Sequence, residues 1–228
     1  MVLTSERNIM MINKITKTIE EGLKGSPIRI ANCARREIGK YCKELGFEKG
    51  VEVGVYKGEF TKELLDAGLT VDAIDPWKAF LGQGRTQNRQ KRQDFIYGHT
   101  QRYLKKYINE GKCKLVRKTS MEALDDYKDK SLDFVYIDGD HTFPHVAQDI
   151  YYWAKKVRPG GIISGHDYFH TPIYARNVWC HVKMVVDAYT KLYDIDNWYV
   201  VGELPIDQCI DKGDRMLSWF WVNYNSVI

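Results

Sequence analysis

Two carboxylates and an imidazole follow directly on an apolar run: Leu132 to Ile137 leads into Asp138-Gly139-Asp140-His141. A second apolar run ends in the same way, Ile162-Ile163-Ser164-Gly165-His166-Asp167-Tyr168. Such runs, buried on both faces, read as central strands of a parallel sheet. In open α/β sheets, ligands bind beyond the carboxyl ends of the strands. Two neighbouring strand ends would then offer Asp138, Asp140, His141, His166 and Asp167 to one crevice. Acids and imidazoles so placed suit proton transfer or a divalent cation.

A glycine turn lies upstream, Glu52-Val53-Gly54-Val55-Tyr56-Lys57-Gly58. Gly54 permits a tight turn and a close backbone approach, and Gly58 opens a helix whose amides can face a carboxylate. A purely structural turn fits equally well. The spacing is G-x-x-x-G, so the dinucleotide fingerprint G-x-G-x-x-G is not met, which disfavours a nicotinamide dehydrogenase. Asp75 ends the next apolar strand, where a carboxylate can accept ribose hydroxyls; a loop or cap role is its alternative. The pair suggests an adenosyl ligand without a pyrophosphate.

These groups need a scaffold. Strands are expected at Gly50–Val55, Val71–Asp75, Lys114–Arg117, Leu132–Ile137, Ile162–Gly165, Trp198–Val201 and Leu217–Val222. Helices are expected at Glu59–Ala67, Met121–Tyr127, Pro144–Val157 and Val182–Leu192. The last two strands should form an antiparallel pair at one edge. The alternation predicts an α/β, Rossmann-like doubly wound sheet. Residues 1–46 read as an N-terminal helical extension broken at Gly22 to Pro27, with Ile9, Ile12, Ile15 and Ile19 at helical spacing for core or dimer packing. Its second segment, Ile28 to Leu45, carries Arg35, Arg36 and Lys40 on a solvated face. Residues 47–228 form the main domain, with a helical insertion over 77–111.

The motifs in series resemble class I S-adenosylmethionine-dependent methyltransferases. They are Glu52-x-Gly54-x-x-x-Gly58, Asp75-Pro76-Trp77, Ile137-Asp138-Gly139-Asp140-His141, Arg158-Pro159-Gly160-Gly161 and Gly165-His166-Asp167-Tyr168. The resemblance covers about residues 48 to 190 and is to the bacterial branch that includes sugar and small-molecule O-methyltransferases. It implies a seven-stranded sheet with an antiparallel last strand. It also implies S-adenosylmethionine beside Glu52, Gly54, Tyr56, Gly58, Asp75, Pro76, Trp77 and Asp138, with Thr119, Ser120 and Met121 near the adenine. Ser120 can bond the adenine edge or cap the helix at Met121. Some relatives hold magnesium with acids at the positions of Asp138 and Asp167. His166 stands where a third oxygen ligand is common, and a histidine suits manganese, iron or zinc better than magnesium; a loop-capping Asp167 and a His166 packed on the sheet, with no metal, are the alternative. His141 matches the position of a general base, and helix capping is its alternative.

Composition sets the remaining bounds. The chain has 228 residues, 15 of them Tyr and 6 Trp, enough apolar mass for a full core. Its five cysteines are scattered and odd in number, so reduced thiols and a cytoplasmic setting are expected rather than a disulfide framework. No apolar run is long enough to span a membrane. Eleven Lys or Arg against two Asp or Glu lie between Arg85 and Lys118. They form a solvated face or a mobile lid, placed at 82–93, for an anionic acceptor. A small hydroxylated acceptor and a possible homo-oligomer are the expected partners. A nucleic-acid methyltransferase using the basic insertion, and a non-catalytic cofactor-binding protein, stay as alternatives.

Overall fold

The computed structural model describes residues 27–30, 35–80, 89–169, 180–202 and 217–223. In chain order the elements are β1 (Ile28–Ile30), α1 (Arg36–Glu44), β2 (Lys49–Val53), α2 (Glu59–Asp66), β3 (Thr70–Ile74), α3 (Gln90–Tyr103), α4 (Lys105–Asn109) and β4 (Cys113–Val116). There follow α5 (Ser120–Ala123), a 3₁₀ turn at Leu124–Asp126, β5 (Leu132–Ile137), α6 (Phe143–Lys156), β6 (Val157–Gly165), α7 (Val182–Leu192), β7 (Trp198–Val201) and β8 (Ser218–Val222). They build one eight-stranded sheet in the order β1-β7-β8-β6-β5-β2-β3-β4. All neighbours are parallel except β8, which runs antiparallel to β6 and β7.

The two-residue period of each strand sends alternate side chains to opposite faces. On β5, Phe134 and Tyr136 join the core under α1 and α2, while Val135 and Ile137 join the core under α6 and α7. On β2, Val51 and Val53 take the second face, so Glu52 is left on the first and is buried there. The carboxylate of Asp133 ties the amino ends of the sheet together, accepting from the amides of Glu48 and Lys49 at 2.7 and 2.8 Å and from Arg158 Nε at 2.7 Å.

Strand order reverses between β2 and β5, which lie side by side. Connections leave β2 toward β3 and β4, and leave β5 toward β6, so a crevice opens at their carboxyl ends. The chains approach closely there. Asp138 N donates to Val53 O at 2.7 Å, and Gly54 N donates to Ile74 O at 2.8 Å. Gly54 has φ +89°, and a Cβ on it would sit 2.0 Å from the Asp138 carbonyl oxygen.

Three expectations need correction. Ile28–Ile30 is a strand, not part of a helix; it pairs in parallel with β7 and gives the sheet an eighth member at its edge. The late strands do pair, but β8 inserts between β6 and β7 rather than lying at the rim. The helix expected across the insertion is broken at Leu104, which is fully buried and ends α3. The isoleucine repeat at 9–19 and the part of the lid at 82–88 lie outside the described residues. Among the described residues, no helix is long and apolar enough to cross a membrane.

Gly54→Ala should destabilise the fold by about 2–3 kcal/mol, because it adds a clash with backbone to an unfavourable φ. Denaturant unfolding checks this, and a wild-type midpoint would contradict the close approach.

Candidate active site

The site begins with the loop after β2. Tyr56 has φ 51°, a conformation costly for a non-glycine residue. Three partners hold it there. Asp75 Oδ2, at the end of β3, accepts from the amides of Val55 and Tyr56 at 3.1 and 2.9 Å. Trp77 Nε1 and Thr100 Oγ1 both donate to the Tyr56 carbonyl at 2.9 Å. Asp75 Oδ1 also accepts from the Trp77 amide at 2.7 Å. Burial pushes the Asp75 carboxyl upward, against the pull of these three amides. Trp77 is buried against Tyr97 of α3, and Gln90 reaches its carbonyl at 3.1 Å. The insertion is therefore a brace for the glycine loop as well as a basic face. Its buried residues include Ile96, Thr100, Leu104 and Tyr107.

Glu52 lies beneath this loop and accepts a hydrogen bond from Thr61 Oγ1. Burial pushes its carboxyl up to about 8, despite the Thr61 bond and the Arg35 charge; Asp138 and Asp75 add to the rise. It is a neutral acid at the floor of the crevice.

The second half of the site hangs from β5 and β6. His141 Nε2 lies 2.9 Å from Asp167 Oδ2 and 3.6 Å from Asp138 Oδ1. His166 Nδ1 lies 3.4 Å from Asp167 Oδ1 and 3.7 Å from Asp138 Oδ2. The 2.9 Å contact is not an aligned hydrogen bond: Nε2 of His141 is buried without a hydrogen-bond partner, as is Nε2 of His166. Burial disfavours the charged form of His141, but the two adjacent carboxylates outweigh it and raise its pKa. Burial alone would raise Asp167, yet the two imidazoles win and hold its carboxyl low. Asp167 itself has φ 58°, so a strained residue carries the carboxylate that follows β6.

One donor atom from each of Asp138, His141 and Asp167 lies within 4.8 Å of the others. Two carboxylate oxygens and an imidazole nitrogen, all converging, are a donor set that a divalent cation accepts. Sequence reasoning placed His166 in this set and His141 across from it. The structure brings both imidazoles to the two carboxylates, with His141 the closer to Asp167.

Other expected residues are placed as follows. Thr119 is the N-cap of α5 and forms a capping box with Glu122. Ser120 does not cap: its hydroxyl donates to Asp149 and accepts from Trp153 Nε1 at 2.7 Å. Burial pushes the Asp149 carboxyl up to about 6, with the Ser120 bond opposing. Asp140 turns the chain after Gly139 by accepting from the Thr142 amide at 2.8 Å. His181 accepts from the Phe143 amide at 2.9 Å and so caps α6, a role no sequence spacing signalled. Arg35, read as solvated, is only 18% exposed; its guanidinium packs 4.8 Å over the Phe60 ring and its Nη1 lies 3.6 Å from Asp138 Oδ2.

The family described as "Methyltransferase domain" matches residues 51–168, just over half of the chain, from within β2 to just past β6. The chain belongs to this methyltransferase family. The resemblance to class I methyltransferases drawn from its motifs holds over that span. Over 72 residues it is 35% identical to the uncharacterized protein y4gI of Sinorhizobium fredii; the match spans 32% of this chain and 7% of that protein. Among solved structures it is similar to an O-methyltransferase of Bacillus cereus in complex with SAH, at TM-score 0.54 and 14% identity, covering 81% of this chain and 80% of that one. It is also similar to the 1,6-didemethyltoxoflavin-N1-methyltransferase of Burkholderia thailandensis with bound 1,6-didemethyltoxoflavin and S-adenosylhomocysteine, at TM-score 0.52 and 11% identity, covering 85% of this chain and 80% of that one. At these identities the two structures speak for the fold.

Glu52 supplies a pH test. Its folded-state pKa lies above that of the unfolded chain. It therefore contributes stability that is complete below about pH 4.5 and is lost as the pH rises through about 8. The wild-type melting temperature should fall over that range more steeply than that of Glu52→Gln. Parallel curves would mean that Glu52 is not a neutral acid in the fold.

Proposed function

We propose that this methyltransferase moves the methyl group of S-adenosylmethionine to a hydroxyl of a small acceptor, a sugar or similar metabolite, with a divalent cation at Asp138, His141 and Asp167. The observation that carries the reading is that three-residue cluster at the carboxyl ends of β5 and β6, beside the glycine loop.

The residues fit both guests. A sulfonium donor is a cation, and the carboxylates of Asp138 and Asp167 stand at the crevice, while both oxygens of Asp75 are engaged by the amides of Val55, Tyr56 and Trp77. When bound, the donor would supply an electrophilic methyl for the acceptor oxygen and become a neutral thioether, the hydroxyl proton passing to water because His141 Nε2 is taken up as a ligand. A divalent cation supplies Lewis acidity for the acceptor hydroxyl, in magnesium or manganese form. The chain's own tasks are positional. Asp138 and Asp167 converge and need a positive partner, because two close carboxylates repel each other. In the structure the His141 imidazole, whose pKa the two carboxylates raise, stands beside both, and the Arg35 guanidinium stands beside Asp138. His141 Nε2 is the atom that can hold a proton at this edge; to act as a ligand or as a base it must be neutral. Asp75 and Trp77 fix the strained loop over Glu52, which presets the donor side before binding.

Chelation should lower methyl transfer, measured with a panel of sugars and other polyols as acceptors, and magnesium or manganese should restore it. Donor binding, followed by calorimetry, should change little. Asp138→Asn and Asp167→Asn should each weaken the metal response by more than the roughly 10–100-fold that loss of an outer partner costs. Full activity in chelator, with both variants active, would make the two carboxylates structural.

A further inference from the structure

Asp167 brings its carboxylate to the cluster from a backbone at φ 58°. Strain of this kind persists only where the surroundings over-determine it. On the amino side the restraints come from the sheet. The His166 amide donates to Ile137 O at 3.0 Å, and Trp219 Nε1 of β8 donates to the His166 carbonyl at 3.0 Å. The Trp219 ring also closes on Gly165, where a Cβ would lie 2.4 Å from it.

On the carboxyl side the restraint is Tyr168, which is buried. Its amide donates to Leu217 O at 2.9 Å. Its ring meets Trp198 of β7 edge-on at 5.3 Å, with Lys183 Nζ 4.8 Å from the ring centre. Its hydroxyl reaches α7 and donates to Asp187 Oδ1 at 2.6 Å. A hydroxyl on a carboxylate makes a short, strong bond. The far end of that bond is firm, because Val182, Val185 and Val186 set α7 into the core. Neither Tyr168 nor Asp187 contributes an atom to the cluster of Asp138, His141 and Asp167.

From this we infer that Tyr168 is a positioning residue for the cation: its hydroxyl, fixed on Asp187, holds the strained Asp167 carboxylate where the metal needs it. The inference rests on the cation reading above. A ligand that must be held in an unfavourable backbone conformation depends on its outer partners, and losing one such partner weakens metal binding roughly 10–100-fold. Here the partner acts through the chain, one residue along, and α7 is the element that carries it.

The test follows manganese binding to the full chain by the electron paramagnetic resonance signal of the free ion. Tyr168→Phe keeps the ring on Trp198 and removes only the hydroxyl. It should weaken manganese binding roughly 10-fold. Asp187→Ala should do the same, and the double variant should lose no more than either alone, because both remove one bond. Asp187→Asn keeps an acceptor for the hydroxyl and should bind nearly as well as wild type; with Asp187→Ala it serves if Tyr168→Phe fails to fold. Unchanged manganese affinity in the single variants, or losses that multiply in the double variant, would overturn the inference and leave the bond a packing contact. A wild-type chain that binds no manganese would instead overturn the cation reading, and this inference with it.

Discussion

The site depends on how closely β2 and β5 come together at their carboxyl ends. Asp138 N bonds to Val53 O, and Gly54 lies against the Asp138 carbonyl with no room for a Cβ. This backbone contact fixes where Asp138 stands relative to the loop that Asp75 and Trp77 hold. Everything else is referred to it. Glu52 lies below, the imidazoles of His141 and His166 lie on the β6 side, and Arg35 lies on the α2 side. Gly54 thus has a structural reason to be glycine that needs no ligand.

Much of this was legible in the residues, for stated reasons. Leu132–Ile137 reads as a strand because both faces are covered, and the structure shows the two faces dividing its side chains between two cores. Val182–Leu192 reads as a helix because its apolar positions repeat at helical spacing, and it folds with those ends. Asp138 and Asp167 were recognisable as strand-end carboxylates, and their convergence follows from β5 and β6 being neighbours.

What was not legible has physical causes too. Ile28–Ile30 is too short to show a period, and its partner lies at the far end of the chain. Arg35 looks like a surface residue because a sequence records its charge but not the ring beneath it. The hydroxyl of Ser120 was given two uses and has a third, because Asp149 and Trp153 reach it from another helix. The break falls at Leu104, a buried residue with φ −96° and ψ 6°, where no Gly or Pro marks it in the sequence. His141 and His166 could be assigned to the cluster but not ordered within it, since their side chains reach the carboxylates from different turns.

The pairing of β1 has a consequence for how the molecule assembles. Ile28–Ile30 hydrogen-bonds to Trp198–Val201, roughly 170 residues further on. During synthesis β1 is made long before β7, the strand it pairs with. Contacts of such separation are entropically costly to close and form late. Arg35 stands only five residues after this strand. The crevice therefore receives its guanidinium from a segment tethered on one side to a strand pair that closes a very long loop and on the other to the helix packed against α2.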